Sequence, residues 1–194
     1  SLFATQPLPS NLTANLSSST GNLLISADRT AVGSQTITPS LNSGTNSFIF
    51  YAQALASSGS ATITVAIPGY TSGTANVTLS NSGFYTWPGA TITNGGTANV
   101  QVYSAVLGAG PGFPRIAEQE VRGGTSVTLN IASTNPGIHS ALPTVTFSTT
   151  PGSTTGNSRS FNVNGVAPGT ASISVVQPAN YQQTNTYSYI LTVN

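Results

Sequence analysis

The stretch Phe161-Asn-Val-Asn-Gly-Val-Ala-Pro-Gly-Thr-Ala-Ser-Ile-Ser-Val175 decides the fold class. On either side of Pro168-Gly169, apolar residues alternate with small or polar ones. That is the period-two pattern of half-buried strands interrupted by a turn. The arrangement occurs a second time, at Phe50-Tyr-Ala-Gln-Ala-Leu-Ala-Ser-Ser-Gly-Ser-Ala-Thr-Ile-Thr-Val65. The offset is 111 residues before the turn and 110 after it, because Ser57-Ser58 stands opposite the single Pro168; Pro68 then matches Pro178. Upstream, Leu12-Thr-Ala-Asn-Leu-Ser17 matches Val127-Thr-Leu-Asn-Ile-Ala132. Gly59 and Gly169 are expected to supply a positive φ between two strands, which only glycine adopts without steric cost. Two copies of one fold is the simplest reading.

Working outward, similar short runs recur along the whole chain, separated by Gly, Pro, Asn and Ser. They include Leu23-Leu-Ile25, Gln35-Thr-Ile-Thr38, Ser47-Phe-Ile-Phe-Tyr-Ala52, Ala75-Asn-Val-Thr-Leu79, Ala98 to Leu107, Ala117-Glu-Gln-Glu-Val121, Ser126 to Ile131, Thr144-Val-Thr-Phe147 and Tyr187 to Val193. No stretch carries apolar residues at i, i+3, i+4 and i+7 free of Gly, Pro or β-branched clusters, so no helix is expected. Strands at this spacing indicate an all-β sandwich or barrel.

Composition narrows the function classes. Of 194 residues, 27 are Ser and 29 are Thr, 38% are hydrophobic, and only 4% are charged, against roughly 25% in an ordinary globular protein. Without Cys there is no disulfide, Cys-zinc site or Cys nucleophile, and without Lys no Walker-type phosphate lysine or Schiff base. Four Arg are too few for a nucleic-acid footprint. No apolar run approaches a membrane span. The surface must be wetted by hydroxyls and amides, and a net charge near zero favours association. The absence of an initiator Met and the strand-like end suggest a processed subunit or one unit of a longer polypeptide.

Ser133-Thr-Asn-Pro-Gly137, Thr144-Val-Thr-Phe147 and the Phe161–Val175 stretch together resemble bacterial immunoglobulin-like (Big-type) domains, tandem repeats of large secreted and cell-surface proteins. The first half carries a looser copy at Gln53-Ala-Leu-Ala-Ser-Ser-Gly-Ser-Ala-Thr-Ile63. The resemblance implies two tandem immunoglobulin-like β-sandwiches of Greek-key type, residues 1–82 and 83–194. It says almost nothing about function. Gly83 to Gly124 precede the matched strand of the second half, but only Ser1 to Asn11 precede that of the first. Either the first domain lacks its opening strand and a neighbour supplies it, or Leu2-Phe-Ala-Thr5 is that strand.

The titratable inventory is short. Glu118 and Glu120, two apart in an expected strand, share one face with Arg122. With Arg115 they form a candidate contact between units, or a charged guard on an edge strand; their number is too small to favour catalysis. His139 lies in a turn with no second His or Cys to share a metal, and Asp28-Arg29 reads as a local turn pair. Three acidic residues are too few for a strong calcium site. Phe84, Tyr85 and Trp87 fall at the expected domain junction, where aromatics seal interfaces or stack on sugars. Asn11, Asn15 and Asn76 open N-glycosylation sequons, triplets that also arise by chance in a chain this rich in Asn, Ser and Thr. The expectation is a non-enzymatic extracellular protein, secreted or at the cell surface, with no cofactor and no metal. Its partners would be copies of itself, neighbouring immunoglobulin-like domains or carbohydrate, with no nucleic acid and no membrane span. The structural role is a repeat or subunit of a fibre, filament or stalk, and the alternative is an adhesin module.

Overall fold

The computed structural model describes residues 2–3, 6–154, 156–184 and 187–194. The chain divides into two compact units, Ser1–Ser80 with Arg122–Gly124, and Asn81–Val121 with Thr125–Asn194. Both are all-β. The described residues contain no α-helix, only a 3-10 turn at Pro136–Ile138.

The first unit holds β1 (Leu2–Phe3), β2 (Leu12–Thr13), β3 (Asn15–Ser18), β4 (Leu23–Ser26), β5 (Thr36–Ile37), β6 (Ser40–Leu41), β7 (Ser47–Phe48), β8 (Tyr51–Ala54), β9 (Ser60–Ala66) and β10 (Gly73–Thr78). One sheet runs β10-β9-β3-β5, and three short ladders join β4 to β8, β2 to β6 and β1 to β7. Leu2 faces Phe48 and Phe3 faces Ser47; Ala4 and Thr5 of the expected opening strand lie outside the described residues. Strict alternation buries Ala61, Ile63 and Val65 of β9 beside Leu16, Leu23, Ile25 and Leu41.

The second unit holds β11 (Asn81–Trp87), β12 (Ala90–Ile92), β13 (Thr97–Leu107), β14 (Arg115–Glu118), β15 (Ser126–Ser133), β16 (Val145–Ser148), β17 (Ser158–Asn164), β18 (Gly169–Val176) and β19 (Tyr189–Val193). One sheet places β13 between β11 on one side and β14 and β17 on the other; the second runs β12-β19-β18-β15-β16. Val100, Val163, Ile173, Tyr189 and Leu191 form one core cluster, and Phe84, Val102, Leu129 and Phe147 another.

The sequence repeat reappears in register. Asn15 faces Ala66 and Leu16 faces Val65 on β3–β9; the matched residues pair identically on β15–β18, Asn130 with Val176 and Ile131 with Val175. Likewise Leu12 faces Leu41, and its match Val127 faces Phe147. The shared turn carries φ +103° at Gly59 and +148° at Gly169. It does not close a hairpin. β8 and β9 belong to different sheets, as do β17 and β18, so the turn carries the chain from one sheet to another.

Three expectations need correction. The division expected between residues 82 and 83 falls inside β11, and the first unit's main segment ends before that strand, at Ser80. The charged strand runs Arg115–Glu118, not Ala117–Val121. Ala105 faces Glu118 and Leu107 faces Arg115 across a register shift, so the strand starts earlier and Glu120 lies beyond it. Arg122 falls in the segment grouped with the first unit, and so does not share a strand face with Glu118.

Candidate functional site

β11 is buried on both faces, which is why its pattern of exposure shows no alternation. Phe84 and Thr86 point to one side. Phe84 is 0% exposed, its ring centroid 5.1 Å from Phe147 and 4.8 Å from Tyr181. This burial within the second unit's own core takes Phe84 out of reach of any ligand. Tyr85 and Trp87 point to the other side. Tyr85 faces Tyr103 across the β11–β13 ladder, and the rings stack at 5.1 Å and 18°. Tyr187 approaches Tyr85 at 5.0 Å and meets Trp87 edge-on at 5.7 Å. Trp87 is 49% exposed, and the peptide bond that follows it, Trp87–Pro88, is cis.

Beside these rings lies a small charged group. Arg115 Nη1 donates to Glu118 Oε1 at 2.9 Å and to the Tyr85 hydroxyl at 3.4 Å; that hydroxyl donates to Glu118 Oε1 at 3.3 Å. Asn157 Nδ2 donates to Glu118 Oε2 at 3.1 Å. Burial, with the Glu118 charge adding to it, pushes the Tyr85 phenol up to about 12. Arg115 and Glu118 thus neutralise one another on a single strand, a half-exposed pair of small energetic weight. The arrangement offers a half-exposed indole, a tyrosine beside it and paired donors and acceptors nearby. Those are the elements that hold a sugar ring by stacking and hydrogen bonds. No group of three or more metal-ligating side chains gathers among the described residues.

The other candidates are dispersed. Asn11, Asn15 and Asn76 are all exposed. Asn11 Oδ1 accepts from Ser43 N at 2.7 Å, and Asn76 Oδ1 from Thr62 Oγ1 at 2.9 Å. Asp28 forms the expected local turn, accepting from Thr30 N at 2.8 Å and Thr30 Oγ1 at 2.9 Å; these bonds hold its carboxyl below the usual range. His139 is buried where the turn Pro136–Ile138 ends. It is 5% exposed, with Nδ1 donating to Ser140 O and Nε2 meeting the Ser133 hydroxyl, both at 2.7 Å. That hydroxyl also accepts from Asn135 N at 3.2 Å, so the group ties down its own loop.

Sequence reading missed three residues that finish strand edges. Gln177 brackets Phe84, its Oε1 accepting from Phe84 N at 2.9 Å and its Nε2 donating to Phe84 O at 2.6 Å. Thr86 Oγ1 donates to Ile173 O at 2.8 Å and accepts from Tyr189 N at 3.2 Å. Arg159 donates to Thr146 O at 3.2 Å while its guanidinium lies 5.0 Å from the Phe147 centroid. Their partners are remote in sequence, so no local pattern announces them.

No family model matches the chain, and no curated protein sequence matches it. Among solved structures, a crystal structure of red sea bream transglutaminase aligns over the whole chain at 12% identity and a TM-score of 0.26. The chain spans 31% of that protein's length. A chimeric titin Z1Z2 functionalised with a KLER peptide from decorin aligns over 98% of this chain and 95% of its own at 15% identity, with a TM-score of 0.28. Likenesses this distant carry no functional argument.

Proposed function

We propose that the chain is a structural extracellular protein, secreted or displayed at the cell surface, and that it serves as a repeat unit or subunit of a fibre, filament or stalk. In this reading it consists of two tandem immunoglobulin-like sandwiches of the bacterial repeat kind. Units join through strand pairing and polar contacts rather than through chemistry. The observation that carries it is the finish of the strand faces. Neutral cross-strand pairs wet them: Thr128 with Thr146, Thr97 with Asn164, Asn99 with Asn162 and Thr62 with Asn76, at 2.8 to 3.0 Å. A surface of hydroxyls and amides meets its like without long-range repulsion, and a net charge near zero removes the usual colloidal barrier. The repeated pairing registers of the two units agree with a protein built by duplication of one module. Electron microscopy and mass measurement on the native chain test the reading. Regular filaments or ordered oligomers are expected, and a monodisperse monomer up to about millimolar concentration overturns it.

The half-exposed Trp87 against Tyr187 favours one second reading, an adhesin-type module that stacks a sugar there. Glycan screening of the native chain against Trp87→Ala tests it: a bound glycan lost in the variant supports it, and identical profiles remove it.

A further inference from the structure

The main-chain groups of β10 alternate in direction. Leu79 N donates to Gly59 O at 2.9 Å, the next step of the β9–β10 register. Gly73, Ala75 and Val77 therefore turn their N–H and C=O toward β9, while Thr74, Asn76 and Thr78 turn theirs away. No strand among the described residues pairs with that outer row, and the strand is exposed at every residue but the half-buried Val77.

The second unit treats the equivalent edge differently. β18 matches β9 and pairs with β15 in the register that β9 keeps with β3, so β19 occupies on β18 the place of β10 on β9. The far side of β19 is covered by β12, Ala90 lying against Leu191. Gln177 brackets the outer side of β11, and Arg159 reaches Thr146 on β16. β10 has no such cover. It also lacks the charge, proline or bulge with which edges are ordinarily guarded.

We propose that β10 is a docking edge whose occupant is β10 of a second copy, paired antiparallel about a two-fold axis through Asn76. The inference rests on the assembling-subunit reading above and names its contact. Thr74-Ala-Asn-Val-Thr78 reads almost the same in both directions. The two-fold pairing sets Thr74 opposite Thr78, Ala75 opposite Val77 and Asn76 opposite its own copy. All three outward residues of one strand then meet outward residues of the other, and each such pair exchanges two main-chain bonds. Thr–Thr pairs are favourable across strands, and no like charges meet. On the other face Val77, packed against the first unit's core, and the exposed Ala75 lie beside Ala61 and Ile63 of β9 and carry that row to the joint.

The chain has no Cys, so single-cysteine variants of the full chain read the register directly. Residues in a hydrogen-bonded pair lie about 5.5 Å apart at Cα, within disulfide reach. Under mild oxidation Asn76→Cys is expected to form a covalent dimer. Thr74→Cys alone is expected not to, but to cross-link when mixed with Thr78→Cys. Val166→Cys, exposed and off the edge, is the background control. In sedimentation across a concentration series, Asn76→Lys sets two like charges face to face and is expected to need about tenfold more protein to associate. Val166→Lys should behave as native. If the native chain associates but Asn76→Cys cross-links no faster than Val166→Cys, this edge is wrong while the assembly reading stands. If the native chain stays monomeric throughout, both fall. Exclusive cross-linking of Asn76→Cys to another region of the chain also overturns the proposal.

Discussion

Replacing Thr86 by Val tests how the second unit closes the end of its β18–β19 ladder. The two side chains have nearly the same shape, and Val is at least as favourable in a strand, so propensity and packing predict no loss. The hydroxyl, however, sits between Ile173 O and Tyr189 N, residues that face each other in the ladder, and Thr86 is 0% exposed. Valine leaves the hydrogen bonds to both main-chain groups unmade where no water replaces them. A buried group left without a partner costs about 1–3 kcal/mol, so two such groups give roughly 2–6 kcal/mol. Thr86→Ser keeps the hydroxyl and loses one methyl, about 1 kcal/mol. Urea unfolding followed by circular dichroism at pH 7 compares the three proteins through their midpoints at constant slope. The expected order is native, then Ser, then Val. A Val variant within about 0.5 kcal/mol of the Ser variant would refute the bridging role, since the hydroxyl bonds would then contribute nothing.

Gln177→Leu should lower stability by about 2–4 kcal/mol, since Phe84 N and O lose their bracketing amide inside a buried strand; urea unfolding reads it. Gln53→Leu should behave alike in the first unit. There the buried amide accepts from Gly33 N at 2.9 Å and donates to Ala31 O at 2.8 Å, and a loss under about 0.5 kcal/mol would contradict the bonding role. The Tyr85 phenol ionises at about 12 in the fold against 10.0 ordinarily, so its contribution is complete below pH 10 and disappears as pH rises to 12. Denaturation midpoints between pH 9 and 12 should therefore fall less steeply for Tyr85→Phe than for Tyr70→Phe, which alters an exposed ring.

The sequence made the class of structure legible because local rules and global packing agree there. In β9, Ala61, Ile63 and Val65 alternate with Thr62 and Thr64, and only the first set is buried. The matched β18 behaves the same way at Ala171, Ile173 and Val175. β11 was missed because it is buried on both faces, so its Phe-Tyr-Thr-Trp run shows no period of two and reads as an aromatic cluster. The start of β14 was misplaced because a register shift beside Leu107, not the alternation of Ala117 to Val121, sets its pairing.

The candidate site was legible only as a list. Sequence singled out Tyr85, Trp87, Arg115 and Glu118 separately, and folding brings Tyr85, Arg115 and Glu118 into contact while seating Trp87 on Tyr187. By itself the sequence determined the all-β class, the internal repeat, the left-handed glycines at 59 and 169 and a nearly uncharged surface, because each depends on neighbours within a few residues or on composition alone. Tertiary structure decided which strand edges are finished and which, like β10 among the described residues, stay bare. Gln177 reaches Phe84 across 93 residues and Thr86 reaches Tyr189 across 103, whereas nothing reaches the outer row of β10 among the described residues. An edge is capped or open according to what the rest of the chain places beside it, and a strand's own sequence carries no record of that neighbour.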